Sequence, residues 1–267
     1  LTIEKLPFEK YRELDGINKS TLDLIDKSPA MVLWSKNCPE DKEKNNAGVF
    51  GNAFHTLILE PDEFEDRYVV APKVDKRTKA GKAEYELFKA ESVGKILLEQ
   101  KEMHQLKLMQ GSVVAHPEAR RLIDVAQTEV TFHCNRGKYW TKSRHDGLIK
   151  SAGVSFDLKT LDIGNKDFAD AWGHSVETRR YDVQEAHYRE DYAFEFGEEL
   201  KAFYFIVVSK TLSLGKYETR VMKNGKDMLE RGLADRNKNI KTYLDCVKTG
   251  KWPGIETTVV PAYSKRG

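Results

Sequence analysis

The spacing of apolar residues changes character about halfway along the chain. Before residue 125 the pattern is helical. Apolar residues at Val49, Phe50, Ala53, Phe54, Leu57 and Ile58 recur at three- and four-residue intervals, which predicts a helix ending before Pro61. Ser20-Thr-Leu-Asp23 reads as a capping box opening a short helix, and Ser28-Pro29 as a second cap with proline at the first helical position. Two or three more helices are predicted between Lys79 and Val125. Beyond that point Glu129–Cys134, Tyr139–His145 and Val154–Lys159 are short runs rich in aromatic and β-branched residues. Asn135-Arg-Gly137 and Ser151-Ala-Gly153 separate them as turns, which predicts a β-meander. A single long helix follows from about Val176 to Phe196, then an almost wholly apolar strand at Ala202–Val208 suited to burial on both faces. Lys216–Val221 alternates like an edge strand, and Asn224–Val247 reads as a closing helix. The fold class is therefore α/β (α+β): a mixed sheet core flanked by helices, with a helical N-terminal elaboration. One domain is predicted over residues 1–267, divided into a mainly helical part (1–125), a sheet core (126–222) and a C-terminal helix and tail (223–267).

Composition narrows the classes of function. The 267 residues carry 44 basic and 42 acidic side chains, a net charge of +2, which excludes a polybasic tail or an acidic disordered segment as the dominant feature. It does not exclude nucleic-acid binding, because a total says nothing about how charges are sorted in space. With 40% hydrophobic and 32% charged residues the profile is that of a globular protein. No apolar run approaches the roughly 18 residues that span a bilayer. The N-terminal LTIEKLPFEK lacks the features of a signal peptide, and a start on Leu1 rather than Met leads us to expect a trimmed or excised domain. Cys38, Cys134 and Cys246 are widely spaced and odd in number. They argue against a disulfide framework, a four-cysteine zinc site or a cysteine-held iron–sulfur cluster, and for a reducing, cytoplasmic location.

The chemistry concentrates in Ser143-Arg-His-Asp-Gly-Leu-Ile149 and Val154-Ser-Phe-Asp-Leu-Lys-Thr160. Strand alternation puts Asp157 and Lys159 on one face and Leu158 on the opposite, apolar one. A hairpin brings Asp146, at the end of its strand, beside Asp157. Two close carboxylates repel unless a cation lies between them, and a hard divalent cation such as Mg²⁺ is the natural partner. By itself Asp-x-Lys is more often an exposed ion pair. His55 follows Gly51 by one helical turn, so Gly51 would let another element approach the imidazole; the candidate role is metal ligand, the plainer one a buried core histidine. Gln184 and Tyr188 share a helix face that could reach a phosphate, or simply pack.

Taken in order, Gly51-x-x-x-His55, Asp146, Asp157-x-Lys159 and Gln184-x-x-x-Tyr188 resemble the motif set of the PD-(D/E)xK nucleases, and more narrowly their RecB-like branch. Gly16-Ile-Asn-Lys-Ser-Thr-Leu22 with Ser28-Pro29, Gly51-Asn-Ala-Phe-His55 running into Leu59-Glu-Pro61, and Val183-Gln-Glu-Ala-His-Tyr188 resemble the nuclease domain of the RecE-type exonucleases (exonuclease VIII) of phages and prophages. The likeness runs from about Gly16 to Trp252-Pro253. It implies a restriction-endonuclease-like core and Mg²⁺-dependent 5′→3′ degradation of linear duplex DNA, leaving 3′ overhangs for an annealing protein of RecT type. It also implies a ring-shaped homotetramer. Mapped onto this chain, His55, Asp146, Asp157 and the Leu158 carbonyl would hold one or two Mg²⁺ ions, with Mn²⁺ as a substitute. Lys159 would orient or activate the attacking water, and Gln184 and Tyr188 would position DNA or support the site. The middle acid is Asp157 rather than the more frequent Glu, a choice RecE-type members share.

Candidate phosphate contacts are the basic cluster Lys73, Lys76, Arg77, Lys79 and Lys82, then Arg144 beside Asp146, and Arg179 and Arg180 one turn before Gln184. A strongly polarised surface with a positive track to Asp157 is expected. The competing readings are a structure-selective or restriction-type endonuclease of the same superfamily, and a non-catalytic DNA-binding scaffold on a degenerate nuclease fold.

Overall fold

The apolar run at Ala202–Val208 becomes the interior strand of a six-stranded mixed sheet, in a computed structural model that describes residues 2–3, 6–39 and 46–256. The strands are β1 (Thr2–Ile3), β4 (Gln127–Asn135), β5 (Trp140–Ile149), β6 (Val154–Leu161), β7 (Ala202–Ser213) and β8 (Lys216–Met222), side by side in that order. β4, β5 and β6 form the predicted antiparallel meander, β6 and β7 run parallel, and β8 is antiparallel to β7. A parallel pair needs a long crossover. Here it is a pair of helices, α9 (Phe168–Arg179) and α10 (Tyr181–Phe196), lying on one face of the sheet. The other face is covered by α4 (Asn46–Leu59), α7 (Gln100–Ala115) and α8 (Pro117–Val125).

Alternation along the central strands makes two cores. Phe156, Leu158, Ile206 and Val208 pack against Phe54, Ile58, Leu106 and Met109. Phe203, Phe205 and Val207 point the opposite way, toward Trp172, Tyr181 and Tyr192. The remaining elements are α1 (Phe8–Glu13), α2 (Lys19–Lys27), α3 (Ala30–Asn37), α5 (Phe64–Arg67), α6 (Lys79–Glu91), α11 (Lys226–Thr249) and a small parallel pair, β2 (Tyr68–Val70) with β3 (Ile96–Leu98), that periodicity did not indicate. The part of the predicted C-terminal tail beyond Glu256 lies outside the described residues.

Three expectations are corrected. The single helix from Val176 to Phe196 is two helices, broken at Arg180, whose φ of 52° is left-handed. The break is held from outside: the Arg180 guanidinium meets Asp182 at 3.3 Å, Asp26 at 2.8 Å and Asp235. The cap of α2 is Asn18, whose side chain accepts from Thr21 N at 2.9 Å, so the helix starts before the Ser20–Asp23 box. Finally, Asp146 is inside β5, which runs on to Ile149, rather than at its end.

Candidate active site

The site forms where the sheet forks. β5 and β6 pair only through Gly147↔Phe156, Leu148↔Ser155 and Ile149↔Val154, and then part, β5 staying with β4 and β6 with β7. Asp146 and Asp157 are the first residues past the last pair. The fork leaves the Leu158 backbone without a partner on β5, and the Asp146 side chain supplies one: its Oδ2 accepts from Leu158 N at 2.7 Å. Gly147 makes the tight junction possible, since a Cβ there would stand 2.1 Å from the Phe156 ring.

α4 brings the third group. Its Ala53, Phe54 and Ile58 are in the core, while His55 faces the fork. His55 Nδ1 lies 3.4 Å from Asp146 Oδ2, and the imidazole hydrogen-bonds the Leu158 backbone. The side chain keeps 31% of its surface at the cleft, yet burial still drives its pKa down to about 4, so it is neutral near pH 7 and able to act as a ligand. Gly51 does not serve a close approach: a Cβ there would meet nothing within 4 Å, and the residue opens onto the cleft instead.

α10 crosses Asp157 from the opposite face. Gln184 Nε2 donates to Asp157 Oδ1, and Lys159 Nζ lies 2.5 Å from Asp157 Oδ2 and 4.6 Å from the Tyr181 ring centroid. Burial works against the Lys159 charge, but Asp157, Tyr181 and Asp146 outweigh it and hold its pKa above the ordinary lysine value. It is an ammonium, a donor rather than a base. Tyr188 stacks on His145 at 4.5 Å, and burial together with Asp157 raises its phenol pKa well above the usual value, keeping the proton on.

Asp146 is pushed well above the usual carboxylate range by burial, then by Asp157 and Glu129. This is the signature of negative charges crowded without enough compensation. Asp157 Oδ2 is buried and, despite the nearby ammonium, has no well-directed hydrogen bond. Two carboxylates, a neutral imidazole and a backbone carbonyl match in kind the donor set of an oxygen-preferring divalent cation. In the present arrangement, with Lys159 and Gln184 on Asp157, no three His, Cys, Asp or Glu side chains close to metal-holding geometry among the described residues.

The other predicted contacts scatter. Arg144 is in the cleft wall, but its guanidinium is taken by Glu129 and, at 2.6 Å, by the Leu6 carbonyl. Arg179 is exposed at the cleft rim, whereas Arg180 is held by the three carboxylates named above. Lys73, Lys76, Arg77, Lys79 and Lys82 are exposed around the start of α6, outside the cleft lining; Arg77 pairs with Asp75 at 3.0 Å, and Lys76 lies 3.4 Å from the Tyr85 ring centroid. The cleft has a volume of about 1350 Å³, and among the described residues seven basic and seven acidic side chains line it. It is therefore not a simple positive track.

Two groups escaped sequence reasoning. Glu129 stands opposite Asp146 in the β4–β5 register and reaches the cleft from a left-handed backbone, φ 58°. Lys19 brings a second ammonium near Lys159, bonded to Asp23 at 2.5 Å and to the Arg179 carbonyl at 2.5 Å. Glu129 has no local signal, and although Lys19 lies within the Gly16–Leu22 motif, its place at the site depends on which distant strand and helix lie beside it.

Comparison with known proteins agrees with the architecture. Residues 19–257 match a family described as a PDDEXK-like domain of unknown function (DUF3799). A candidate exonuclease from Eubacterium rectale has a similar fold, with a TM-score of 0.61 at 17% identity, covering 92% of this chain and 87% of that one. A phage-related exonuclease from Haemophilus somnus aligns at 12% identity over 91% of this chain and 100% of its own, with a TM-score of 0.37. No curated protein is similar enough to count as a match.

Proposed function

This chain belongs to the DUF3799 family of PDDEXK-like domains, and from that premise we propose that it is a divalent-cation-dependent exodeoxyribonuclease acting on linear double-stranded DNA. One observation carries the reading. His55 from α4, Asp146 from β5, and Asp157 and Lys159 from β6, distant in sequence, meet at one fork of the sheet, with Gln184 of α10 on Asp157.

His55, Asp146, Asp157 and the Leu158 carbonyl would hold one or two Mg²⁺ ions, or Mn²⁺ in their place. Such an ion supplies a Lewis acid for a non-bridging phosphate oxygen and support for the leaving 3′ oxygen. The Lys159 ammonium donates to the in-line water or to the phosphate, stabilising the negative charge that develops there. Gln184 fixes the Asp157 rotamer through Oδ1, and Tyr188, still protonated, donates toward the DNA backbone. Water adds to phosphorus and gives up a proton to solvent, the P–O3′ bond breaks, and the 3′ oxygen takes up a proton from solvent, releasing a 5′-phosphomononucleotide.

The finer reading rests on the RecE-type motif set. In it the enzyme degrades 5′→3′, leaves 3′ overhangs for an annealing protein of RecT type, encircles DNA as a homotetramer and works in the cytoplasm of a bacterial host. Among the described residues no helix is long and apolar enough to cross a membrane. The test is digestion of end-labelled linear duplex and of closed-circular duplex with Mg²⁺, by the native protein and by Lys159→Ala. The linear substrate should shorten from its 5′ ends, the circle should persist, and Lys159→Ala should be slower by at least about 100-fold, the scale of losing one charge-stabilising donor. Cutting of the circle would favour an endonuclease. An unchanged Lys159→Ala rate would sink the catalytic assignment.

A further inference from the structure

Helix α1 has no fully buried residue, and polar bonds from the active-site strand do much to hold it. Lys142 Nζ donates to the carbonyls of Tyr11 at 3.1 Å, Arg12 at 3.3 Å and Leu14 at 2.5 Å, satisfying groups that a helix C-terminus leaves open. Arg144 Nη1 donates to the Leu6 carbonyl, just before the helix, at 2.6 Å. Lys142 and Arg144 are alternate residues of β5, and the next alternate position is Asp146. The strand that carries the candidate ligand thus also fixes where α1 stands.

What α1 presents is an aromatic ring. Phe8 is 47% exposed, lies 6.4 Å from Tyr11 in a stacked arrangement, and has the Arg144 guanidinium 5.8 Å from its centroid. Phe8 and Tyr11 line the same cleft as Asp157 and Lys159. A large exposed ring on a helix pinned through its backbone by two cations, in a cleft wall, has less freedom to lose on binding a flat partner. Its neighbours Glu9 and Arg12 are exposed and charged, so among the described residues α1 offers no contiguous apolar area for a protein. A nucleobase suits it: every base has a π-face, so stacking tolerates any sequence, as an enzyme consuming DNA end to end requires. The nearby guanidinium adds a cation–π contribution.

We propose that Phe8, backed by Tyr11 and Arg144, is a stacking plate for a nucleobase at the DNA end engaged by Asp157 and Lys159. The plate rests on the exonuclease reading and deepens it by assigning how the end is held.

The probe is a duplex with 2-aminopurine at its 5′ terminus, bound by Lys159→Ala protein without hydrolysis. Phe8→Ala and Phe8→Trp are compared in that background, and their KM and kcat on linear duplex are measured with Lys159 intact. Stacking predicts that binding quenches the fluorescence, that Phe8→Ala removes the quench, and that its binding is weaker by about 5- to 150-fold, the equivalent of about 1–3 kcal/mol per stacked base. KM should rise with kcat little changed, and Phe8→Trp should restore both readouts. Equal quenching and affinity in Phe8→Ala, with digestion intact, overturn the plate alone. So does a loss that Phe8→Trp fails to restore, which would mark a structural role. No DNA binding by Lys159→Ala together with no digestion by the native protein overturns the plate and the exonuclease reading together.

Discussion

At the scale of single residues, the site sets stability against function. Asp146 is needed as an acceptor for Leu158 N–H, but its charge is crowded by Asp157 and Glu129. Asp146→Asn keeps an acceptor oxygen and removes the charge. We expect the metal-free protein to gain stability, on the order of 1 kcal/mol by relief of a buried charge, while hydrolysis falls by about 100-fold or more. Urea midpoints without divalent cation, beside initial rates with it, make the comparison; a destabilised variant would mean that the acceptor geometry was lost too. His145 gives a pH dependence. Burial lowers its pKa to about 3, and its Nε2 has no partner. The unfolded chain, titrating near 6.5, therefore binds more protons between about pH 6.5 and 3. The His145 contribution is complete above 6.5 and is lost as pH falls through that window. Asp146, Glu129 and Glu185, all raised chiefly by burial, act in the opposite sense. Only a difference isolates the histidine: the fall in urea midpoint from pH 7 to 5 should be shallower in His145→Gln than in the native protein, and parallel curves would refute the assignment.

Among elements, the close approach of α10 and α11 decides how firmly Gln184 and Tyr188 are held. Gly232 of α11 faces the Asp182 carbonyl of α10, and a Cβ would stand 2.3 Å from it. Arg231 adds a bond to Asp182 Oδ2 at 2.8 Å. Gly232→Ala should push the helices apart and lower stability by about 1–3 kcal/mol, the usual range for overpacking. It should also slow hydrolysis, because α10 carries Gln184 onto Asp157. A variant with an unchanged urea midpoint would show that α11 yields without disturbing α10. Much at this scale was legible in sequence. The meander, the buried strand, the edge strand and the closing helix follow from periodicity, and strand alternation placed Asp157 and Lys159 together with Leu158 opposite. The break at Arg180 was not legible: no Gly or Pro marks it, and its left-handed backbone is held by carboxylates from α2 and α11.

For the whole molecule, charge is the open balance. The near cancellation of 44 basic by 42 acidic residues is repeated inside the cleft, seven against seven among the described residues. A polyanion gains little from such a surface until the central carboxylates are neutralised. DNA binding should therefore depend on divalent cation. In Lys159→Ala protein, affinity for duplex DNA, read by fluorescence anisotropy at fixed ionic strength, should rise at least about tenfold from EDTA to millimolar Mg²⁺, about 1.4 kcal/mol. Equal affinities would mean that phosphate contacts elsewhere, such as the exposed lysines around α6, carry the binding.

By itself the sequence determined the type and order of most elements, local properties set by period and side-chain chemistry. The candidate site residues His55, Asp146, Asp157, Lys159, Gln184 and Tyr188 were singled out by the resemblance of their order to a nuclease motif set, since each alone reads more plainly as packing or an ion pair. Tertiary structure decided what lies between distant segments. It placed the fork between β5 and β6 that brings the two aspartates to Leu158, Glu129 opposite Asp146, the grip of Lys142 and Arg144 on α1, and the removal of Arg144 and Arg180 from the set of free cations. Each of these depends on register or on the packing of elements far apart in the chain. No local pattern encodes them, because the free energy that fixes them comes from contacts that exist only once the sheet has formed.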